Sequence, residues 1–108
     1  MGELDKLQSA VVKFRDKRDW LQYHTPKNLA QALASEVGEL NDLFLWDRDP
    51  DPEMVKEEMA DILIYLLSMA DVMGIDLAQA VKAKININRH KYPTFKSRGN
   101  CEKYDKES

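Results

Sequence analysis

The chain has 108 residues and a formal net charge of −3, with 44% hydrophobic and 32% charged residues. That length is one small domain rather than an array, and the acidic balance excludes a general nucleic-acid coat, which would be basic. The single cysteine, Cys101, leaves no disulfide pairing within the chain, and no stretch approaches the roughly 20 apolar residues of a membrane helix.

The opening residues, MGELDKLQ, lack the cationic-then-apolar pattern of a secretion signal. A soluble cytoplasmic protein is expected, with no nucleic acid and no membrane among its partners. A chain this short buries a limited share of its surface, so association into a homo-oligomer is also expected.

The first helix is predicted over about residues 3–22, on the spacing of Leu4, Leu7, Val11, Phe14 and Leu21. In HTPKNL, Thr25 caps a second helix that Pro26 opens. That helix runs to about Trp46, with Leu29, Leu33, Val37, Leu40 and Phe44 along one side. DRDPDPEM is a loop, and Asp51 caps a third helix that begins at Pro52 and ends before Gly74. Asp76, with Gln79 three residues on, starts a fourth helix that stops near Tyr92 because Pro93 follows. The expected architecture is all-α, a four-helix-type bundle over residues 1–93 completed by homo-oligomerisation, with a polar C-terminal tail over residues 94–108.

The third helix carries EEMADILIYLL, in which acids run directly into an apolar block. Glu58 and Asp61 are three residues apart there, and Glu36 and Glu39 have the same spacing in ASEVGEL of the second helix. Such spacing sets two side chains on one helix face, a turn apart. If the two helices pack antiparallel, four carboxylates converge and need a cation between them. Oxygen-only ligands select a hard ion, Mg²⁺ or Mn²⁺ ahead of Zn²⁺. Acid pairs also occur on many solvated faces; their embedding in apolar sequence on consecutive helices brings the two readings level. Asp71, beyond the apolar run, reads as an ordinary surface acid.

Other chemistries find little support. Di-iron bundles use Glu-x-x-His pairs, and neither His24 nor His90 lies three residues after a Glu. Cys101 has no activating pattern around it, and no phosphate-binding glycine loop is present.

The pattern Glu36-x-x-Glu39, a spacer, then Glu58-x-x-Asp61 resembles that of the MazG-like, all-α nucleoside triphosphate pyrophosphohydrolases. FRDKRDWLQYHTPKNLA, EVGELNDLFLW, ADILIYLL and KININRHKYP look like the dCTP pyrophosphatase subgroup, and SRGNCEKY is weakly similar to its animal members. The resemblance implies hydrolysis between the α- and β-phosphates of a nucleotide, with Mg²⁺ held by the four matching acids. It also implies a dimer or a tetramer built as a dimer of dimers. Glu39, with Glu36 beside it, is the expected water-activating carboxylate. Trp20, His24 and Trp46 match base-pocket positions, Asn28 matches the same segment as a partner for sugar or base, and Tyr65, Lys84 and Asn88 match residues that meet phosphate or sugar. Without the resemblance, the tryptophans and Tyr65 read as core or rim residues and Lys84 as a solvated lysine.

Two departures bear on the substrate: the spacer is shorter than in the animal enzymes, and Tyr23 stands where many relatives have Phe. dCTP is the expected substrate, with dATP or modified cytosine nucleotides as the other candidates. The rival readings are a non-catalytic helical module that binds a nucleotide or a protein, and a related dUTP-directed hydrolase.

Overall fold

The computed structural model describes residues 2–47 and 49–99, apart from the side chains of residues 47, 96 and 97. Among these residues the regular structure is entirely helical. The chain forms two compact units, Met1–Ile75 and Asp76–Ser108.

The first unit holds α1 (Glu3–Lys17), α2 (Pro26–Asp42) and α3 (Pro52–Met73), with 3₁₀ turns at Leu21–Tyr23 and Leu45–Asp47. The second holds α4 (Leu77–Lys91) and the short α5 (Thr94–Ser97). The caps that start these helices are local chemistry. Thr25 Oγ1 accepts from the Asn28 amide at 3.1 Å, Asp51 Oδ1 from Glu53 at 3.0 Å, and Asp76 Oδ1 from Gln79 at 3.1 Å. Each satisfies an amide that the first helical turn leaves without a carbonyl.

Two helices end earlier than periodicity predicts. α1 stops at Lys17 because Asp19 enters the left-handed region at φ 55°. The Asp19 amide then bonds to Asp16 O and the Trp20 amide to Arg15 O, both at 3.1 Å. This pair of bonds is a Schellman closure, with Asp serving in the position glycine usually fills. α2 stops at Asp42, where the Leu43 amide is shared between the Glu39 and Leu40 carbonyls and the Phe44 amide reaches Asn41 O. The helix tightens into a 3₁₀ turn, and Trp46 takes a left-handed φ of 63°. α3 closes at Gly74 (φ 65°) with the same Schellman bonds, Gly74 to Asp71 O and Ile75 to Ala70 O.

α3 packs against both α1 and α2. Leu29, Leu67 and Ala70 are the fully buried apolar residues of the described chain. Gln8 Nε2 donates to Leu67 O at 3.2 Å, which ties α1 to the centre of α3. Asp71 is exposed, as expected of a surface acid, and it also pairs across helices: Arg15, buried on α1, donates to its Oδ2 at 2.7 Å. The polar segment expected from Thr94 opens with α5. Residues 100–108, with Cys101 and most of SRGNCEKY, lie outside the described residues.

Candidate active site

The loop after α2 returns the chain along it as α3, so Glu36 near the end of one helix faces Glu58 and Asp61 near the start of the other. One carboxylate oxygen from each of these three lies within 4.8 Å of the others. Glu36 and Glu58 are half-buried, and Oε2 of each is buried without a hydrogen-bond partner. Two carboxylates cannot satisfy each other, because both only accept. A shared proton or a cation resolves the conflict.

In the metal-free protein the proton answers it. The Glu36 carboxyl is pushed from its usual 4.5 up to about 7, first by hydrogen bonding with Glu58, then by burial, then by the bond and charge of Glu39. Glu39 itself is exposed on α2; it neighbours Glu36 but stands outside the three-oxygen group. An all-oxygen set with two buried, orphaned oxygens fits a hard divalent cation.

A cavity of about 280 Å³ is lined by two of these carboxylates, Glu36 and Asp61, together with Phe14, Arg15, Trp20, His24 and Tyr65. Volumes from roughly 300 Å³ upward are usual for small-molecule sites, so the space suits a flat ring rather than an entire nucleotide. The Schellman turn aims Trp20 back at α1, where its ring meets Phe14 edge-on at 5.7 Å between centroids. The Arg18 guanidinium lies over the Phe14 ring, with Cζ 3.6 Å from its centre and 5.9 Å from that of Trp20. His24 Nδ1 is buried and has no partner. Burial and, second, the charge of Arg15 hold the His24 pKa below its usual 6.5, so this imidazole is neutral at physiological pH.

Asn28 Nδ2 donates to Tyr23 O at 3.0 Å and so braces the turn that carries His24. Trp46 is 86% exposed and does not line the cavity. Lys84 and Asn88 lie one turn apart on α4, in the second unit, where Lys84 is exposed and Asn88 half-buried. Sequence reading passed over Phe14 and Arg15 as cavity residues. Phe14 falls in the apolar stripe of the first helix. Arg15 lies within the mixed-charge run FRDKRD, which looks solvated throughout. The available signal was its helical phase, since Val11, Phe14 and Arg15 share one face.

Consecutive helices that converge three carboxylates beside an aromatic-lined cavity define the class, and similarity to known proteins names it. Residues 27–106 match the MazG-like family. The chain belongs to that family. It is 42% identical to dCTP pyrophosphatase 1 of Bos taurus and 40% identical to that of Homo sapiens, over 94% of its own length. It spans 66% and 65% of those proteins, less than two thirds of each. A dATP/dGTP diphosphohydrolase of Cyanophage S-2L is 39% identical over 53% of this chain and 50% of its own. Among solved structures, a pyrophosphatase from Archaeoglobus fulgidus superposes with a TM-score of 0.77 at 44% identity, covering 86% of this chain and 94% of that one.

Proposed function

We propose that this chain is a Mg²⁺-dependent dNTP pyrophosphohydrolase that hydrolyses the bond between the α- and β-phosphates, giving a monophosphate and pyrophosphate. dCTP is the favoured substrate, dATP and modified cytosine nucleotides come next, and the role is cleansing of the cytoplasmic nucleotide pool. The observation that carries this reading is the pair of buried, unpartnered oxygens on Glu36 and Glu58 beside Asp61. A scaffold or a passive binding module gains nothing from packing like charges together, whereas a cation-dependent hydrolase requires it.

Glu36, Glu58 and Asp61 would hold Mg²⁺, with Glu39 completing the set from its place beside Glu36; Mn²⁺ is the expected substitute. The ion, when bound, supplies positive charge against the phosphate oxygens and a more acidic water. Glu39, the exposed member, accepts the proton of the attacking water. Trp20 and His24 receive the base, and Tyr65, which lines the same cavity, meets phosphate or sugar. Asn28, Trp46, Lys84 and Asn88 belong to the proposed nucleotide contacts as well. Relatives named dCTP pyrophosphatase 1 support the choice of dCTP.

Assembly as a dimer, or as a dimer of dimers, is part of the proposal. Few apolar side chains are fully buried, while Val37 on α2 and Met59 and Ile64 on α3 remain 43–58% exposed. Large apolar side chains left open along two neighbouring helices suit a second copy.

The test is a nucleotide panel with and without Mg²⁺, following pyrophosphate against phosphate. Metal-dependent pyrophosphate release with dCTP foremost is the expected result. Phosphate release would mean a different bond is cut, and dUTP foremost would mean a different base.

A further inference from the structure

Arg15 is 5% exposed, yet it lines the cavity. Its Nε donates to Asp16 Oδ1 at 2.9 Å and its Nη1 to Asp71 Oδ2 at 2.7 Å. Those bonds fix the plane of the guanidinium and leave Nη2 without a protein acceptor among the described residues. The guanidinium is buried while the Asp16 and Asp71 side chains are 53% and 35% exposed; ion pairs that water screens from outside add little net stability, so they do not by themselves account for a charge held against the cavity wall. It stands in a cavity that also contains Trp20 and the unpartnered Nδ1 of His24.

A guanidinium is donor-only, and a neutral imidazole protonated at Nε2 offers Nδ1 as an acceptor. The two together ask for a ring bearing both acceptors and a donor. Cytosine has this combination, with O2 and N3 accepting and its exocyclic amino group donating. Thymine and uracil place a carbonyl where cytosine has the amino group, which would set two lone pairs against each other at His24.

We propose that Arg15 is a base-selecting residue whose guanidinium, positioned by Asp71, donates to the acceptor edge of a cytosine ring while His24 Nδ1 accepts from its amino group. The inference rests on the nucleotide reading above, but concerns which base is held rather than which bond is cut. Arg15 touches the substrate; Asp71 acts only through Arg15 and is a positioning residue.

Binding of dCMP and dTMP to the full chain is followed by isothermal titration calorimetry, alongside pyrophosphate release from dCTP and dTTP. Arg15→Met combined with Asp71→Leu removes both charges at similar volume, and thermal unfolding shows whether the variant is folded. Wild type is expected to prefer dCMP, and the double variant to lose roughly tenfold or more of that preference, the usual effect of one desolvated hydrogen bond to a polar substrate edge. Asp71→Asn should raise KM for dCTP more than it lowers kcat. Arg15→Lys keeps the charge without the planar fork and should retain the fold but not the preference, so it decides the matter if the double variant does not fold.

An unchanged base preference in a folded Arg15 variant overturns the proposal. So does an equal loss for both bases, which a purely structural role would give, or a wild type that binds dCMP and dTMP alike. Selective dCMP binding that depends on Arg15, without pyrophosphate release, would sink the hydrolytic reading and leave the base-selecting role standing.

Discussion

Glu36 on α2 and Glu58 on α3 turn their Oε2 atoms into the same buried space, and neither oxygen has a hydrogen-bond partner. Both side chains only accept when ionised, so the metal-free fold must keep a proton that the unfolded chain would release. The Glu36 pKa is raised from 4.5 to about 7, chiefly by Glu58. A raised carboxyl favours the folded state fully below pH 4.5, and that contribution is lost as pH climbs through about 7. In EDTA, the melting temperature should therefore fall across this window. His24, whose pKa is lowered by burial and by Arg15, acts in the opposite direction. Glu36→Gln isolates the first effect, because it removes the Glu36 proton and leaves His24 in place. A melting curve as steep in pH for Glu36→Gln as for wild type would show that the carboxyl pair does not carry the dependence.

Replacing Glu58 by Gln gives the pair a donor. The amide can bond to Glu36, so the metal-free protein should melt higher than wild type at pH 8. The same change removes a negative ligand, so Mg²⁺ should no longer raise the melting temperature. Pyrophosphate release should fall by about 100-fold or more, in line with the loss of one group that stabilises developing charge. Stability and activity thus move in opposite directions, and calorimetry with a coupled pyrophosphate assay reads both. A parallel fall of the two would mark Glu58 as an ordinary structural residue.

Much of this was legible in one dimension because its causes are local. Thr25, Asp51 and Asp76 announce helix starts by a bond to an amide two or three residues away. The acid pairs announce a shared face because helical spacing fixes it. The ends of α1 and α2 were not legible. They depend on Asp19 and Trp46 taking left-handed backbone, a conformation neither residue type advertises. Arg15 and Asp71 stayed hidden for a related reason. Each looks solvated beside its sequence neighbours, and only the packing of α1 on α3 turns them into a pair. Periodicity says which side chains share a face, but not which faces meet.

The exposed apolar side chains of α3 lead to a prediction about assembly. Met59 is 58% exposed and lines neither the carboxylate group nor the cavity. Met59→Glu should cost the isolated fold little, within about 0.5 kcal/mol for an exposed site away from special features. If a second copy covers this face, the new charge has to be desolvated, and the dimer should weaken by tenfold or more, about 1.4 kcal/mol. Sedimentation equilibrium of the two proteins over a concentration series measures the difference. Equal association constants would move the contact surface away from Met59.

Trp20 tests the cavity in a different way from Arg15. The Schellman turn holds its ring edge-on to Phe14, and the ring forms part of the cavity wall. An aromatic face stacks on any base, at roughly 1–3 kcal/mol, without reading its hydrogen-bonding edge. Trp20→Ala should therefore raise KM for dCTP, dATP and dTTP together, by something between about 5-fold and 150-fold. The order of preference among them should survive. Trp20→Phe retains a stacking face and should recover most of the loss. If Trp20→Ala instead abolished the preference while leaving KM for dTTP untouched, the ring would be reading an edge, and the division of labour between an unselective stacking wall and a selective guanidinium would fail.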